Sequence, residues 1–588
     1  MKSIIYTKDT SAGKGLRFLA IFALLCGCCL FADGLPLIDS DIESKWFCAL
    51  FFIFVIGLVF PFRMCSSTVS VRFMDLAVSI LFSWVIVRSI GHVTTQYYLR
   101  LAAVGVLYVV FRLSDILFNR ATVIILAALT VSLALFGLGQ LLHVFSNGGS
   151  SFSVVGTFDN PAGYASSLVM GMPFVLSFLK DERRGIRMAA AVSLLLVLIV
   201  LIATESRAAL LAALAVLLLR IVPSFRQVTT FWKVAGPALL LAVALTGLYY
   251  LKKDSADGRL LIWWITLRLI LQHPVLGGGT HAFWREYMPA QADFFRLHPD
   301  SRFALLADNV RHPFNEYLSV LLQWGVVGFV LLVAIVLLAI HAWHSHRDRD
   351  SDMFFQALLA LDIVACFSYP MNYPFAWIIL MGGLARLGHD TPAVKVNSLH
   401  QSVLTLAFVL VSASLLVVSA FQYHYYTEWH SVAHHRPAAK MEDLSEKYER
   451  LLPHLKRDSY FLYNYTAELC RHKWYQEASE MMNKAYNYRI DYDMLHLYGD
   501  LQRDQQLLSD ARDSYTTLSQ MCPNRYVPLY RLFCIAIEEE NTDEAMRLAK
   551  LILIKPIKIS SSQVDFIRKK SQLYINNHKI KTYEKEKK

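Results

Sequence analysis

The sequence predicts an all-α protein in two parts: a polytopic membrane domain over residues 1–422, with roughly twelve to thirteen transmembrane helices, then a soluble α-solenoid over 423–570 and a basic tail over 571–588. Three observations predict it. Of the 588 residues, 55% are hydrophobic and only 18% charged, with mean hydropathy +0.40, and the apolar residues fall in long uncharged runs. Lys and Arg alternate between the loops in a way that a threaded chain requires. Near residue 423 the composition turns charged and Tyr-rich, and an internal period begins.

The apolar runs place spans near 16–36, 45–62, 73–91, 98–116, 121–145, 161–179, 187–204, 208–222, 231–251, 314–340, 353–370, 373–388 and 402–422. Those at 208–222 and 373–388 are short. The first carries LLCGCC, read as part of an uncleaved helix because no small residue precedes Gly27 and further spans follow. An N-terminal arm with Lys2, Lys8, Lys14 and Arg17 reads as cytoplasmic. The same side then holds Arg63, Arg72, Arg112, Arg120, the KDERRGIR segment, Arg220, Arg226, Lys233, Arg347, Arg349, Arg386 and Lys395. The opposite short loops hold only Lys45, Arg88, Arg100 and Arg207. An odd number of spans then puts the C-terminal region outside. The net charge of +11 is therefore partly topology, and no nucleic-acid motif accompanies it. Most of the nine cysteines lie in spans as small apolar residues. Cys470, Cys522 and Cys534 fall in the outer domain and are available to pair, with no metal-ligand spacing.

In the outer domain, LYNYTAELCRHKWYQEASEMMNKA, LHLYGDLQRDQQLLSDARDSYTTL and LYRLFCIAIEEENTDEAMRLAKLI align on Ala478, Ala511 and Ala545, 33 and 34 residues apart. Pro523 and Pro556 close the second and third units. The period resembles tetratricopeptide repeats, in which each helix pair buries its apolar face by stacking on the next. A degenerate unit is expected near 440–455, and HKIKTYEKEKK ends the chain as a solvated tail.

The longest outer loop, 252–313, is not a spacer. LLIWWITLRLILQHPVLGGG reads as an amphipathic helix stopped by His273-Pro274 and a glycine run. HAFWREYMPAQADFF is a second aromatic stretch. Trp263, Trp264, Phe283, Trp284 and Tyr287 suit a helix at the lipid–water boundary.

Cations appear on this outer side, where topology disfavours them. Arg207, Arg259 and Arg311 are expected to face one compartment at similar depth. Arg207 alone reads more readily as a membrane-edge anchor than as a ligand. Together the three suit a lipid-linked diphosphate, because the guanidinium fork gives parallel charge-assisted bonds. His312 adjoins them and is matched to general-base work near neutral pH, Arg311 favouring its neutral form; capping of the tenth span is the competing reading. Asn315 either caps that span or binds a sugar hydroxyl, and Pro313 is placed at its first turn. Asp159-Asn160-Pro161 opens the sixth span, with Asp or Asn as cap and Pro just inside. Small residues follow, from Ala162 to Gly171, and admit a neighbouring helix or an acyl chain. Asp254, Asp257, Glu286, Asp293 and Asp308 show no zinc-ligand spacing.

Four segments together are similar to one family. GTFDNPAGYASSL resembles a G-x-F-x-N-P-N-x-x-A element, and ESRAALLAA an S-R-x-x element. GRLLIWWITLRLILQHPVLGGGTHAFWREY resembles R-x-x-x-W…P-x-x-G-x-G…Y, and NEYLSVLLQWGVVG resembles H-N-x-Y-L…G-x-x-G. These are motifs of the O-antigen ligase superfamily, which includes lipopolysaccharide O-antigen ligases, O-antigen polymerases and protein O-oligosaccharyltransferases. The resemblance covers about 150–330. It implies a GT-C-like glycosyltransferase of the bacterial inner membrane with a cytoplasmic N-terminus and periplasmic repeats. It implies no cofactor and no metal, an undecaprenyl-diphosphate-linked glycan as donor, and lipid A core, a glycan or a protein as acceptor. Carried over by motif, Arg207 and Arg259 bind the diphosphate, joined by Arg311, and His312 is the base; Asn160, Asn315 and Tyr287 position donor or acceptor. Two departures stand out. Phe314 occupies the position where the commonest motif has His, the histidine here standing two residues earlier, and Ala162 replaces a frequent Asn. A transporter of lipid-linked glycans is the alternative from another class. It is disfavoured because the spans show no repeated halves and the polar cluster lies at one edge.

Overall fold

A computed structural model describes residues 2–59, 68–114, 118–221, 230–389, 391–397, 401–434 and 441–586. Arg63 and Arg226 lie outside the described residues, as do the side chains of Lys2, Lys8, Lys14, Lys233 and Lys395. The chain is all-α in class and forms two units. The first comprises Met1–Ile90, Thr94–Leu251 and Phe314–His435; the second comprises Gly91–Val93, Lys252–Pro313 and Arg436–Lys588. Loop 252–313 thus belongs with the C-terminal helices, and the unit boundary falls past residue 422.

The first unit contains α1 (Lys2–Phe31), α2 (Ser40–Val59), α3 (Phe73–Ser89), α4 (Thr95–Leu113), α5 (Arg120–Leu141), α6 (Pro161–Ser177), α7 (Arg184–Ala203), α8 (Arg207–Ile221) and α9 (Thr230–Leu251). It continues with α12 (Glu316–Ser345), α13 (Arg349–Ala365), α14 (Pro374–Gly388) and α15 (Gln401–Ala433). Among the described residues seven helices are long and apolar enough to cross a membrane: α2, α4, α5, α6 with its extension to Lys180, α7, α12 and α15. Twelve or thirteen were expected. Four of the helices at the other expected positions are shorter: α3 and α13 have 17 residues, α8 and α14 have 15. The other two are α1, whose apolar part is confined to Gly15–Phe31, and α9, with 22 residues. At 1.5 Å per residue the shortest reach only about 22 Å, less than the ~30 Å hydrocarbon core.

Helix α6 is the centre of this unit, buried at Pro161 and from Gly163 through Ser177. Its small residues admit neighbours. A Cβ on Gly163 would lie 2.3 Å from the Tyr373 ring, and one on Gly171 2.1 Å from Thr130 Oγ1. Asn160 caps α6, accepting from the Ala162 and Gly163 amides at 2.8 and 3.0 Å, with Pro161 in the first turn, as its sequence predicts. One feature has no counterpart in the sequence reading. Two five-residue strands, β1 (Thr68–Arg72) and β2 (Ala393–Asn397), pair antiparallel with Thr68 opposite Asn397. TVSVR and AVKVN alternate with period two, but as short basic stretches at span edges they read as loops.

The second unit holds α10 (Lys253–Ile270) and α11 (Ala282–Leu297) from the loop. From the C-terminal region come α16 (Met441–Leu455), α17 (Ser459–Arg471), α18 (Tyr475–Tyr486), α19 (Tyr492–Asp504), α20 (Leu508–Met521), α21 (Val527–Glu538), α22 (Thr542–Ile554) and α23 (Ser562–Glu586). Helices α17/α18, α19/α20 and α21/α22 pack in successive pairs, with Ala478, Ala511 and Ala545 fully buried. Cys470, Cys522 and Cys534 are free thiols. Helix α10 ends before His273-Pro274, as read from sequence. Helix α11 corrects the lipid-boundary expectation. Its apolar face packs on α20, which leaves Phe283, Tyr287, Met288 and Phe295 at most 4% exposed. A loop face that would have sat in headgroups is instead protein core.

Candidate functional site

His312 lies on the extended stretch that ends the second unit's loop. Two tryptophans hold that stretch. Trp263, from α10, donates its indole N–H to the Pro313 carbonyl at 3.0 Å. Trp284, from α11, donates to the Arg311 carbonyl, also at 3.0 Å. The two bonds bracket His312 and fix its backbone on either side. The C-terminal helices brace this clamp, since the Ile490 amide donates to the Trp284 carbonyl at 3.0 Å. Behind it, Gln291 is fully buried. It accepts from the Tyr287 hydroxyl at 2.7 Å and donates to the carbonyls of Asp308 at 3.1 Å and Met521 at 2.6 Å. Asn524 donates to the Leu305 and Ala307 carbonyls at 3.2 and 2.5 Å. His312 is half-buried. Desolvation and the neighbouring Arg311 cation lower its pKa to about 4, so at neutral pH the ring is an unprotonated imidazole able to accept a proton.

The glycine run beside the clamp has a defined shape. Gly277 and Gly279 adopt φ of +74° and +86°, which only glycine takes readily. Arg285 holds the turn, donating to the Gly278 and Thr280 carbonyls at 2.7 and 3.0 Å. Burial raises the Glu286 carboxyl above its ordinary range.

The predicted site residues fall into both units. Arg259 is half-buried on α10. Arg311 is exposed, with its guanidinium carbon 5.3 Å from the centre of the Tyr460 ring. Tyr287 has no exposed surface, and the Gln291 bond uses its hydroxyl. It ties the loop to the C-terminal helices rather than presenting itself to a ligand. In the first unit, Arg207 opens α8 and donates to the Leu248 carbonyl at 3.3 Å.

Asn160 and Asn315 are both helix caps. Asn315 accepts from the Leu318 amide at 3.0 Å, so α12 starts at Glu316 and Pro313 lies outside its first turn, contrary to expectation. Asn160 has a second set of partners. Its amide donates to the hydroxyls of Tyr369 and Tyr373, both at 2.9 Å, and to Asp159 at 2.7 Å. Tyr373 donates in turn to Asp159 at 2.6 Å. The Phe314 ring meets Tyr369 edge-on at 5.4 Å. Phe314 adopts φ +52°, a left-handed conformation that is strained for an aromatic residue. The fully buried Lys45 ties the same region together, donating to the carbonyls of Ala32, Asp41 and Thr157.

Sequence reasoning missed Tyr369, Tyr373, Trp263 and Trp284 in these roles. The signal for the tyrosines was SYPMNYP, two Tyr-Pro-bounded turns that read as the edges of apolar spans. The tryptophans were read as lipid anchors. Among the described residues no cluster of three His, Cys, Asp or Glu is arranged to hold a metal ion.

No curated protein matches the chain. The sequence model of one family does match, described as O-antigen ligase, over residues 190–333. That stretch runs from α7 into α12 and includes Arg207, Arg259, His312 and both clamping tryptophans. By this match residues 190–333 are similar to the O-antigen ligase family, within a helical protein whose described residues include helices long and apolar enough to cross a membrane.

Proposed function

We propose that the protein transfers a glycan from undecaprenyl diphosphate to an acceptor hydroxyl on the periplasmic face of the bacterial inner membrane. His312 accepts the proton of the acceptor hydroxyl as its oxygen attacks the anomeric carbon. The bond from that carbon to the diphosphate oxygen breaks, and undecaprenyl diphosphate leaves with its electron pair. Arg207 and Arg259 stabilise the departing diphosphate. Asn160 and Asn315 hold the helix starts against which the sugars lie. The outer helix pairs act as tetratricopeptide-like repeats that bind an acceptor or a partner protein. The reading is supported above all by the unprotonated imidazole of His312, bracketed by two indole bonds inside the segment that matches the family.

The test is transfer in detergent, using purified protein, an undecaprenyl-diphosphate glycan and lipid A core, oligosaccharide or peptide acceptors in parallel. Wild type is expected to release undecaprenyl diphosphate and glycosylate one acceptor class. The double variant Arg207→Ala, Arg259→Ala is expected to lose donor binding. Transfer to none of the acceptors, or donor binding unchanged in the double variant, contradicts the proposal.

A further inference from the structure

One polar cluster of the second unit is not used by the transfer step. Arg489, at the end of the α18/α19 turn, is 4% exposed. Its guanidinium carbon lies 3.8 Å from the centre of the Tyr460 ring. Nη2 pairs with Asp491 at 2.5 Å, but Nε and Nη1 are buried with no hydrogen-bond partner among the described residues. Unpaired buried donors of a charged group are costly, and a native structure retains few of them. The ring of Tyr460 also carries Arg311, whose guanidinium carbon is 5.3 Å away. Arg311 is exposed and forms no ion pair among the described residues.

The nearby carboxylates are already engaged. Asp491 caps α19 through the Met494 amide and pairs with Arg489. Asp493 accepts from Asn309 at 3.0 Å, and Asp458 caps α17 through the Tyr460 and Phe461 amides. Two guanidinium groups therefore share one aromatic ring, with one of the two charges left uncompensated. Beside them, Trp284 bonds the Arg311 carbonyl and stacks on His281 at 4.3 Å.

We propose that Arg311, Tyr460 and Arg489 form a recognition subsite for an anionic saccharide, a sugar bearing phosphate or carboxylate. The exposed Arg311 guanidinium takes the anionic oxygens and the Trp284 ring takes the apolar sugar face, while the buried Arg489 holds the Tyr460 ring that orients Arg311. Arg311 directly precedes His312, the base proposed to meet the acceptor hydroxyl, and on that ground it is assigned to the acceptor, in place of the diphosphate role expected from the sequence. Calling the ligand an acceptor rests on the transfer reading above; binding of the anionic sugar does not.

The test is a binding titration of the full-length protein in detergent with three synthetic trisaccharides: one phosphorylated, one ending in glucuronate, one neutral. Wild type is expected to bind at least one anionic trisaccharide about ten-fold or more tighter than the neutral one. Whichever anionic form wins identifies the natural group. Arg311→Gln and Tyr460→Leu are each expected to reduce that preference about ten-fold, while undecaprenyl diphosphate binds as before. Arg489→Lys retains a buried cation in case a neutral residue fails to fold there, and is expected to weaken the preference. Equal binding of all three sugars, or an unchanged preference in Arg311→Gln, overturns the proposal. Loss of undecaprenyl diphosphate binding in Arg311→Gln also overturns it, and returns Arg311 to the donor clamp. Sugar preference without transfer to any acceptor leaves this subsite standing and removes the transfer reading.

Discussion

At neutral pH the His312 imidazole is neutral, with one ring nitrogen free of a proton, because burial and Arg311 oppose the cation. Its folded pKa of about 4 lies below the ordinary histidine value of about 6.5. Protonation then favours the unfolded chain. The stability contributed by the neutral ring is complete above about pH 6.5 and is lost as pH falls toward about 4. For catalysis, the base stays available through the same range. The acid limb of kcat/KM is therefore expected below about pH 5, and a limb centred near 6.5 would mean the ring is not held as described. The indole clamp makes a second prediction at this scale. Trp263→Phe and Trp284→Phe keep an aromatic ring, smaller than the indole, and remove one N–H each. Each bond contributes about 1 kcal/mol, so kcat is expected to fall several-fold while donor KM is unchanged. Equal loss in both parameters would indicate general unfolding instead of mispositioning. His312 and Arg311 stand out in the sequence because their residue types are unusual at the edge of an apolar run. The clamp was not legible, because its acceptors are main-chain carbonyls 50 and 27 residues away, which leave no mark on side-chain identity.

Among the elements, α12 departs most from its sequence pattern. The run 314–340 reads as one uninterrupted span, yet Gly325 within it has φ 66° and ψ −170°. The broken turn has its exposed carbonyl met, since Trp84 from α3 donates to the Trp324 oxygen at 3.0 Å. Non-helical backbone inside an apolar segment requires such partners. An alanine at Gly325 would be forced into a region that L residues avoid, which destabilises by about 1–3 kcal/mol. Gly325→Ala is expected to unfold at lower temperature in detergent, and an unchanged Tm would show that α12 runs straight. Apolarity and length identified this helix correctly, but a glycine in an apolar run is equally consistent with close packing, so the break itself had no distinct signature. The capped start of α6 was fully legible, since Asn-Pro followed by small residues has one economical reading. The β1/β2 ladder joins segments more than 300 residues apart, and no local pattern specifies that pairing.

For the whole molecule, the division into units follows packing rather than chain order. Sequence reading placed loop 252–313 with the membrane helices because it is inserted between spans. Its α11 face instead completes a core with α20, and Gln291 bonds the Met521 carbonyl inside it. Hydrophobic patterning showed that α11 has an apolar face but not what covers it. Deleting 436–588 would expose Phe283, Tyr287, Met288 and Phe295 together, side chains worth about 1.5–3 kcal/mol each when buried. The truncated chain is expected to lose transfer completely, by chromatographic assay of glycosylated acceptor, even where its membrane helices insert normally. Retained transfer would show that the loop folds without the C-terminal helices. The proposed transfer depends most on one proton acceptor at residue 312. Single-turnover transfer from a preformed complex of protein and undecaprenyl-diphosphate glycan, comparing wild type with His312→Ala, tests it directly. The expected result is unchanged donor binding with chemistry slowed about 10²-fold or more. A variant that turns over at the wild-type rate would contradict the account.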